Sequence, residues 1–188
     1  MIQNLTDNTI LYHGSYCEVQ TPDLKKCAKY KDFGQGFYLT TSKEQAQNFA
    51  KISSRKATAN GIVEEPLEYG FVSSFQFQFA EKLSIKSFPT SNTNWLHCVV
   101  SHRRREMFSR LVQDSENYDI IAGKVANDNT NATITAYMAG VFGEVGTESA
   151  DDICISLLLP ERLQNQYCFR TEKAFRCLTF VESEQVWI

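Results

Sequence analysis

No apolar run in the 188 residues approaches the roughly 20 that a membrane-spanning helix needs, so no membrane partner is expected. The N-terminus, Met1-Ile2-Gln3-Asn4-Leu5-Thr6-Asp7, lacks a cationic stretch followed by an apolar one, so it does not read as a secretory signal. The six cysteines, Cys17, Cys27, Cys98, Cys154, Cys168 and Cys177, form no C-x-x-C pair. Scattered thiols without a signal suit a reducing compartment, and the expected location is cytoplasmic. His97-Cys98 is the one adjacent His/Cys pair, and no two further ligands stand at zinc-site spacing, so no metal is expected. Nor is there a strong excess of one charge. The formal net charge of −3 is too slight for a generic electrostatic nucleic-acid binder, though it leaves local basic patches open. Repeats, low-complexity tracts and linkers are missing too, so residues 1–188 read as a single domain.

What is present is a succession of short strands and helices. Thr9 to His13 reads as a strand. Pro22 and Lys25, Lys26, Lys29 and Lys31 mark a polar crossing, either a solvated face or one near phosphates. After a helix from Lys43 to about Ala57, Asn60-Gly61 signals a turn. Leu67 to Val72 reads as a strand, and Phe75-Gln76-Phe77-Gln78-Phe79 alternates as a half-buried one should. Core is the simpler reading of its three phenylalanines, with base stacking as the alternative. Leu83 to Phe88 alternates again. One helix is expected from Trp95 to about Gln113. It carries His102-Arg103-Arg104-Arg105, which on a helix point around the barrel rather than to one side. These are either salt-bridging surface groups or contacts to an anion or nucleic acid. A strand near Tyr118, helices from about Asn131 to Val141 and from Ser149 to near Pro160, and strands at Gln166–Arg170, Cys177–Glu182 and Val186–Ile188 complete the chain. Thr171 is a candidate cap for a short helix between them. The fold class this implies is α+β: a mainly antiparallel β core flanked by helices.

One stretch organises the rest: Asp32-Phe33-Gly34-Gln35-Gly36-Phe37-Tyr38-Leu39-Thr40-Thr41. Two glycines bracket a tight loop, where positive φ is allowed at both ends. A short strand with a phenol at its centre follows. Ser42-Lys43-Glu44-Gln45 then reads as a capping box, and Ala46, Phe49 and Ala50 continue at helical spacing. Upstream, Leu11-Tyr12-His13-Gly14-Ser15 is a second strand, ending in His-Gly.

Together these pieces resemble the ADP-ribosyltransferase superfamily. Leu11-Tyr12-His13-Gly14-Ser15 is similar to its first motif, and Gly36-Phe37-Tyr38-Leu39-Thr40 to its second. The helix after it carries an aromatic eleven residues past the tyrosine, here Phe49. More closely, Asp32–Thr41, Tyr118–Asp128 and Gln166–Phe175 resemble the signature blocks of a bacterial family of unknown function within that superfamily, DUF3990. The resemblance covers nearly the whole chain. It implies an ADP-ribosyltransferase-like fold with two small sheets, and a mono-ADP-ribosyltransferase that uses NAD as substrate and releases nicotinamide. The acceptor would be a protein or a nucleic acid. A toxin or effector role, with an antitoxin partner, is implied by analogy alone.

The resemblance also assigns roles. Cleaving the nicotinamide–ribose bond passes through a sugar cation, as glycoside hydrolysis does. Gly14 would let its backbone approach the carboxamide, His13 would donate to a ribose hydroxyl, and Tyr38 would stack on the nicotinamide with Phe49 beside it. Ser15, Gly36 and Thr40 would add contacts, with the Thr41 hydroxyl available as well. The superfamily usually carries Glu at the start of a late strand, where this chain has Gln166. Gln can orient a ribose but cannot serve as a base. Either Gln166 suffices, or another carboxylate (Glu161, Glu172 or Asp128) supplies the charge, or the domain binds NAD without transferring it. A second departure is Ala46, where a serine often touches the carboxamide. A vestigial pocket in a regulatory domain is the remaining reading. Residue by residue the alternatives are structural: a strand-end histidine, a core tyrosine, a plain turn, a polar edge residue. The functional reading requires His13, Tyr38 and Gln166 to line one cleft.

Overall fold

The computed structural model describes residues 5–79, 82–125, 128–159 and 163–188, and of residues 128 and 129 the backbone alone. Ala126 and Asn127 of one signature block, Pro160, Glu161 and the Asp128 side chain lie outside the described residues.

Strands β1 (Thr9–Ser15), β3 (Tyr69–Phe77) and β7 (Leu178–Trp187) make one antiparallel sheet in the order β1-β3-β7. Strands β2 (Phe37–Leu39), β6 (Asn165–Phe169), β5 (Ile120–Lys124) and β4 (Ile85–Ser87) make a second in the order β2-β6-β5-β4. Only the β4–β5 pair in it is parallel. The expected α+β architecture with two small, mainly antiparallel sheets is therefore present. Among the described residues a single antiparallel bridge, Tyr12 to Thr40, joins the sheets.

Alternation along the strands builds the core. Leu11, Phe37, Leu39, Phe75, Phe77, Tyr167 and Phe169 form one buried cluster. Their neighbours on the second sheet, Ile121 and Cys168, face the other way. There they meet Phe33, Trp95, Val99, Ile134 and Tyr137 from the helical side. The molecule is thus layered: helix α1, the first sheet, the second sheet, and a helical layer.

Helix α1 (Lys43–Ala59) lies on the first sheet through Ala46, Ala50, Ser54 and Ala57, side chains small enough for close approach. Ser42 caps it by accepting from the Gln45 N–H at 3.2 Å. The second arm of the expected capping box runs through Thr40 instead. The Ser42 N–H donates to Thr40 Oγ1, and that hydroxyl donates to Gln45 Oε1. Short helix α6 (Glu172–Phe175) is capped by Thr171 as expected.

Three expectations meet corrections. The strands expected at Leu67–Val72 and Phe75–Phe79 are one strand, β3. It tolerates Ser73 and Ser74 because Ser73 accepts from the Val19 N–H and Ser74 donates to the Glu182 carbonyl. Phe79 lies beyond it and is 46% exposed, so two phenylalanines rather than three join the core. The single helix expected from Trp95 to Gln113 is broken into α2 (Thr93–Arg103) and α3 (Ser109–Ser115). Phe108 takes a left-handed φ of 53° and its ring stacks on His97 at 4.1 Å, so a tertiary contact overrides helical continuity. Helices α4 (Asp128–Met138) and α5 (Glu148–Leu158) complete the helical layer. Among the described residues no helix is long and apolar enough to cross a membrane.

Candidate functional site

The site begins where β1 and β2 part. Tyr12 and Thr40 exchange both backbone hydrogen bonds, at 2.8 and 3.0 Å. Continued in register, that pairing sets Gly14 opposite Tyr38. Instead the Tyr38 carbonyl accepts from His13 Nδ1 at 2.8 Å. A carbonyl can only accept, so this bond places the imidazole proton on Nδ1 and leaves Nε2 as an acceptor. The expected donor to a ribose hydroxyl is thereby an acceptor. Burial pushes the His13 pKa down to about 4, which keeps the ring neutral. Its other support is Phe37, with ring centroids 4.3 Å apart.

Gly14 is glycine for a reason other than a ligand. A Cβ there would stand 2.0 Å from the Ala46 carbonyl oxygen of α1. Its backbone edge is a separate matter. Tyr12 turns its N–H and C=O toward β2, so by strand alternation those of Gly14 point the same way, into the gap where the strands part. Gly36 is also held sterically, since a Cβ would meet Cys168 Sγ at 2.5 Å and the Phe169 carbonyl oxygen at 2.6 Å. Of the two loop glycines, Gly34 alone has positive φ, at 79°.

Tyr38 pairs with Cys168, and Gln166 stands two residues from Cys168, so Tyr38 and Gln166 share the helix-facing side of the second sheet. The His13 ring lies on the opposite side, against Phe37. The three side chains do not line one cleft: His13 is joined to Tyr38 through the Tyr38 carbonyl, and Gln166 is bonded elsewhere. The phenol is committed as well. The Tyr38 hydroxyl accepts from the Phe33 N–H at 2.9 Å and donates to the Gly34 carbonyl at 2.8 Å, pinning the loop. Burial holds its pKa well above the usual phenol range. Phe49 is 47% exposed on α1, while the Tyr38 ring packs toward the helical layer, so the two do not form the expected pair of walls. Thr40 is spent on the α1 start, and Ser15 is buried with Oγ 3.9 Å from Cys17 Sγ. Ala46 is buried against β1.

Gln166 has a partner that its sequence context did not announce. Its Nε2 donates to Asp32 Oδ2 at 2.8 Å and to the Lys124 carbonyl at 3.3 Å. The other Asp32 oxygen accepts from Arg103 Nε and Nη2, at 3.1 and 2.7 Å. Arg103 Nη1 continues to Asn131 Oδ1 at 2.8 Å. A carboxylate therefore does stand beside Gln166, contributed by Asp32 rather than by Glu172, which is exposed in the first turn of α6. The signal was present in two pieces, an acid opening the Gly-x-Gly loop and an arginine run that starts at the last residue of α2.

That run is not wholly helical as expected, because α2 ends at Arg103 and Arg104 takes an extended backbone, φ −132° and ψ 93°. Besides Arg103, His102 is buried, Arg104 pairs with Glu106 at 3.0 Å, and Arg105 stands over the Tyr30 ring. A second polar cluster lies in the helical layer. Asp151 is paired with His97 Nε2 at 2.8 Å and accepts a short hydrogen bond from the Tyr137 hydroxyl, which accepts in turn from the Gly146 N–H. Among the described residues no group of three or more His, Cys, Asp or Glu is arranged to hold a metal ion.

Comparison with curated proteins and with solved structures finds no match. The model of one family, described as a protein of unknown function, DUF3990, matches residues 9–180. With nearly the whole chain matched, the protein belongs to the DUF3990 family.

Proposed function

We propose that the protein binds NAD and transfers its ADP-ribosyl group to a macromolecular acceptor, a protein or a nucleic acid, with release of nicotinamide. The observation that carries this reading is the interrupted seam between β1 and β2, where the Gly14 N–H and C=O face the gap beyond Tyr12–Thr40. A carboxamide offers both a donor and an acceptor, so it can dock on such an edge as a neighbouring strand would. In this reading His13 Nε2 accepts from a ribose hydroxyl, while Nδ1 stays on the Tyr38 carbonyl. Asp32 stands with Gln166 on the helix-facing side of the second sheet, away from the His13 ring, so in this reading its negative charge acts on the developing sugar cation across the sheet and not by contact.

A second reading, NAD binding without transfer, is favoured by Arg103. Its two contacts with Asp32 already compensate that carboxylate. The test is incubation of the wild-type chain and His13→Ala with labelled NAD and a cell lysate, beside calorimetry with NAD alone. Transfer predicts label in protein or nucleic acid, lost in the variant. Tight binding without nicotinamide release selects the second reading. Neither binding nor release sinks both.

A further inference from the structure

We propose that the cleft between the Gly34–Gln35 turn, the end of α2 and Arg170 binds a phosphoryl anion, either inorganic phosphate or the phosphate of a mononucleotide. The cavity measures about 180 Å³, and His102, Arg105, Arg170 and Glu116 are among its lining residues. His102 is 2% exposed, and its Nε2 has no hydrogen-bond partner among the described residues. Arg170 Nε is likewise buried and unpartnered, while its Nη1 is committed to the Ser115 carbonyl. Each buried polar group left unmet costs about 1–3 kcal/mol, so two on residues that line one cavity call for a shared acceptor.

The charge of the cavity selects the kind of acceptor. Two guanidiniums face a single acid, Glu116. Burial first, and then Arg170 and Arg105, push the His102 pKa down to about 4, as a ring in a positive field behaves. An anion would reverse that field. The donors come from three separate elements: α2, the turn after it and the end of β6. A tetrahedral phosphoryl group meets such a set better than a planar carboxylate does. Gly34 permits the geometry: it has φ 79°, and a Cβ there would stand 2.8 Å from His102 Nδ1, so only glycine lets the loop lie against the ring. The site does not depend on the NAD reading, since it uses none of His13, Gly14 or Gln166.

The test uses the full chain with inorganic phosphate at constant ionic strength, set with chloride, and reads the imidazole nitrogen resonances. The chain has three histidines, so His102 can be assigned by substitution. Phosphate should move the His102 signals saturably and raise its pKa from about 4. Arg105→Gln removes an exposed side chain, spares folding, and should weaken phosphate by about tenfold, the loss of one charge-assisted contact. Adenosine monophosphate binding more tightly than phosphate would identify a nucleotide as the source; equal affinity would identify the phosphoryl group alone. Unmoved His102 signals, or equal affinity in Arg105→Gln, would overturn the proposal.

Discussion

Asp32 and Asp151 are both buried carboxylates, and they are satisfied in different ways. Asp151, 2% exposed, is held wholly within the helical layer by His97 of α2 and Tyr137 of α4. Asp32, 8% exposed, ties a loop to α2 through Arg103 and to β6 through Gln166. The first network closes on itself and fixes how three helices meet. The second spans the boundary between helices and sheet, and its last member stands on the strand beside Tyr38. Polar groups that only hold a fold tend to be closed in this manner; the Asp32 network instead ends on Gln166 of β6, one strand in from β2, whose seam with β1 is interrupted.

The largest effect should come from breaking the second network at its cation. Arg103→Ala leaves a carboxylate that is buried and only partly compensated, a change that typically costs about 3–5 kcal/mol. Denaturant unfolding of the variant reads this directly. A loss below about 1 kcal/mol would mean that Asp32 reaches water, and the contrast with Asp151 would collapse.

Acid sensitivity should separate the regions next. His13 and His102 both have pKa values lowered by burial to about 4, from 6.5. Between those values the unfolded chain binds protons that the folded one refuses, so stability rises with pH there. It is fully present above about 6.5 and falls as the pH drops toward about 4. The contribution is on the order of 3 kcal/mol per histidine. Unfolding free energies at pH 7 and pH 4.5 should differ by about half as much in His13→Gln as in the wild type. If the difference persists in a His13→Gln, His102→Gln double variant, the acid response originates elsewhere.

What the sequence made legible was local. The loop, strand and capped helix around Tyr38 follow from residues at most a few positions apart, and Ser42 and Thr171 cap as their spacing indicates. The α+β class followed from alternation, whereas the division into two small sheets was implied by the resemblance alone. The Asp32–Gln166 bond, across 134 residues, was out of reach, because no propensity encodes which distant polar groups meet. The break before α3 failed for a related reason: it is set by Phe108 stacking on His97. Face assignment was the subtler loss. His13, Tyr38 and Gln166 occur in the expected order on the expected strands, but pleating sends the histidine ring to one side of β2 and the phenol to the other.

The smallest of the three effects belongs to the helical network. Tyr137→Phe removes a hydroxyl that donates to Asp151 and accepts from the Gly146 N–H, and it keeps the His97 contact to that carboxylate. Losing one donor to a buried acid should cost about 1–3 kcal/mol, less than removing a whole cation from Asp32. The ring keeps its place among Trp95, Ile134 and Cys154, so packing is preserved and the change reads the hydrogen bonds alone. The same variant bears on the functional contrast. A network that only holds helices together should leave NAD binding unchanged once the protein is folded, so calorimetry on Tyr137→Phe at a temperature well below its unfolding midpoint should match the wild type. Weakened NAD binding there would place the helical layer, and not the seam between β1 and β2, at the ligand.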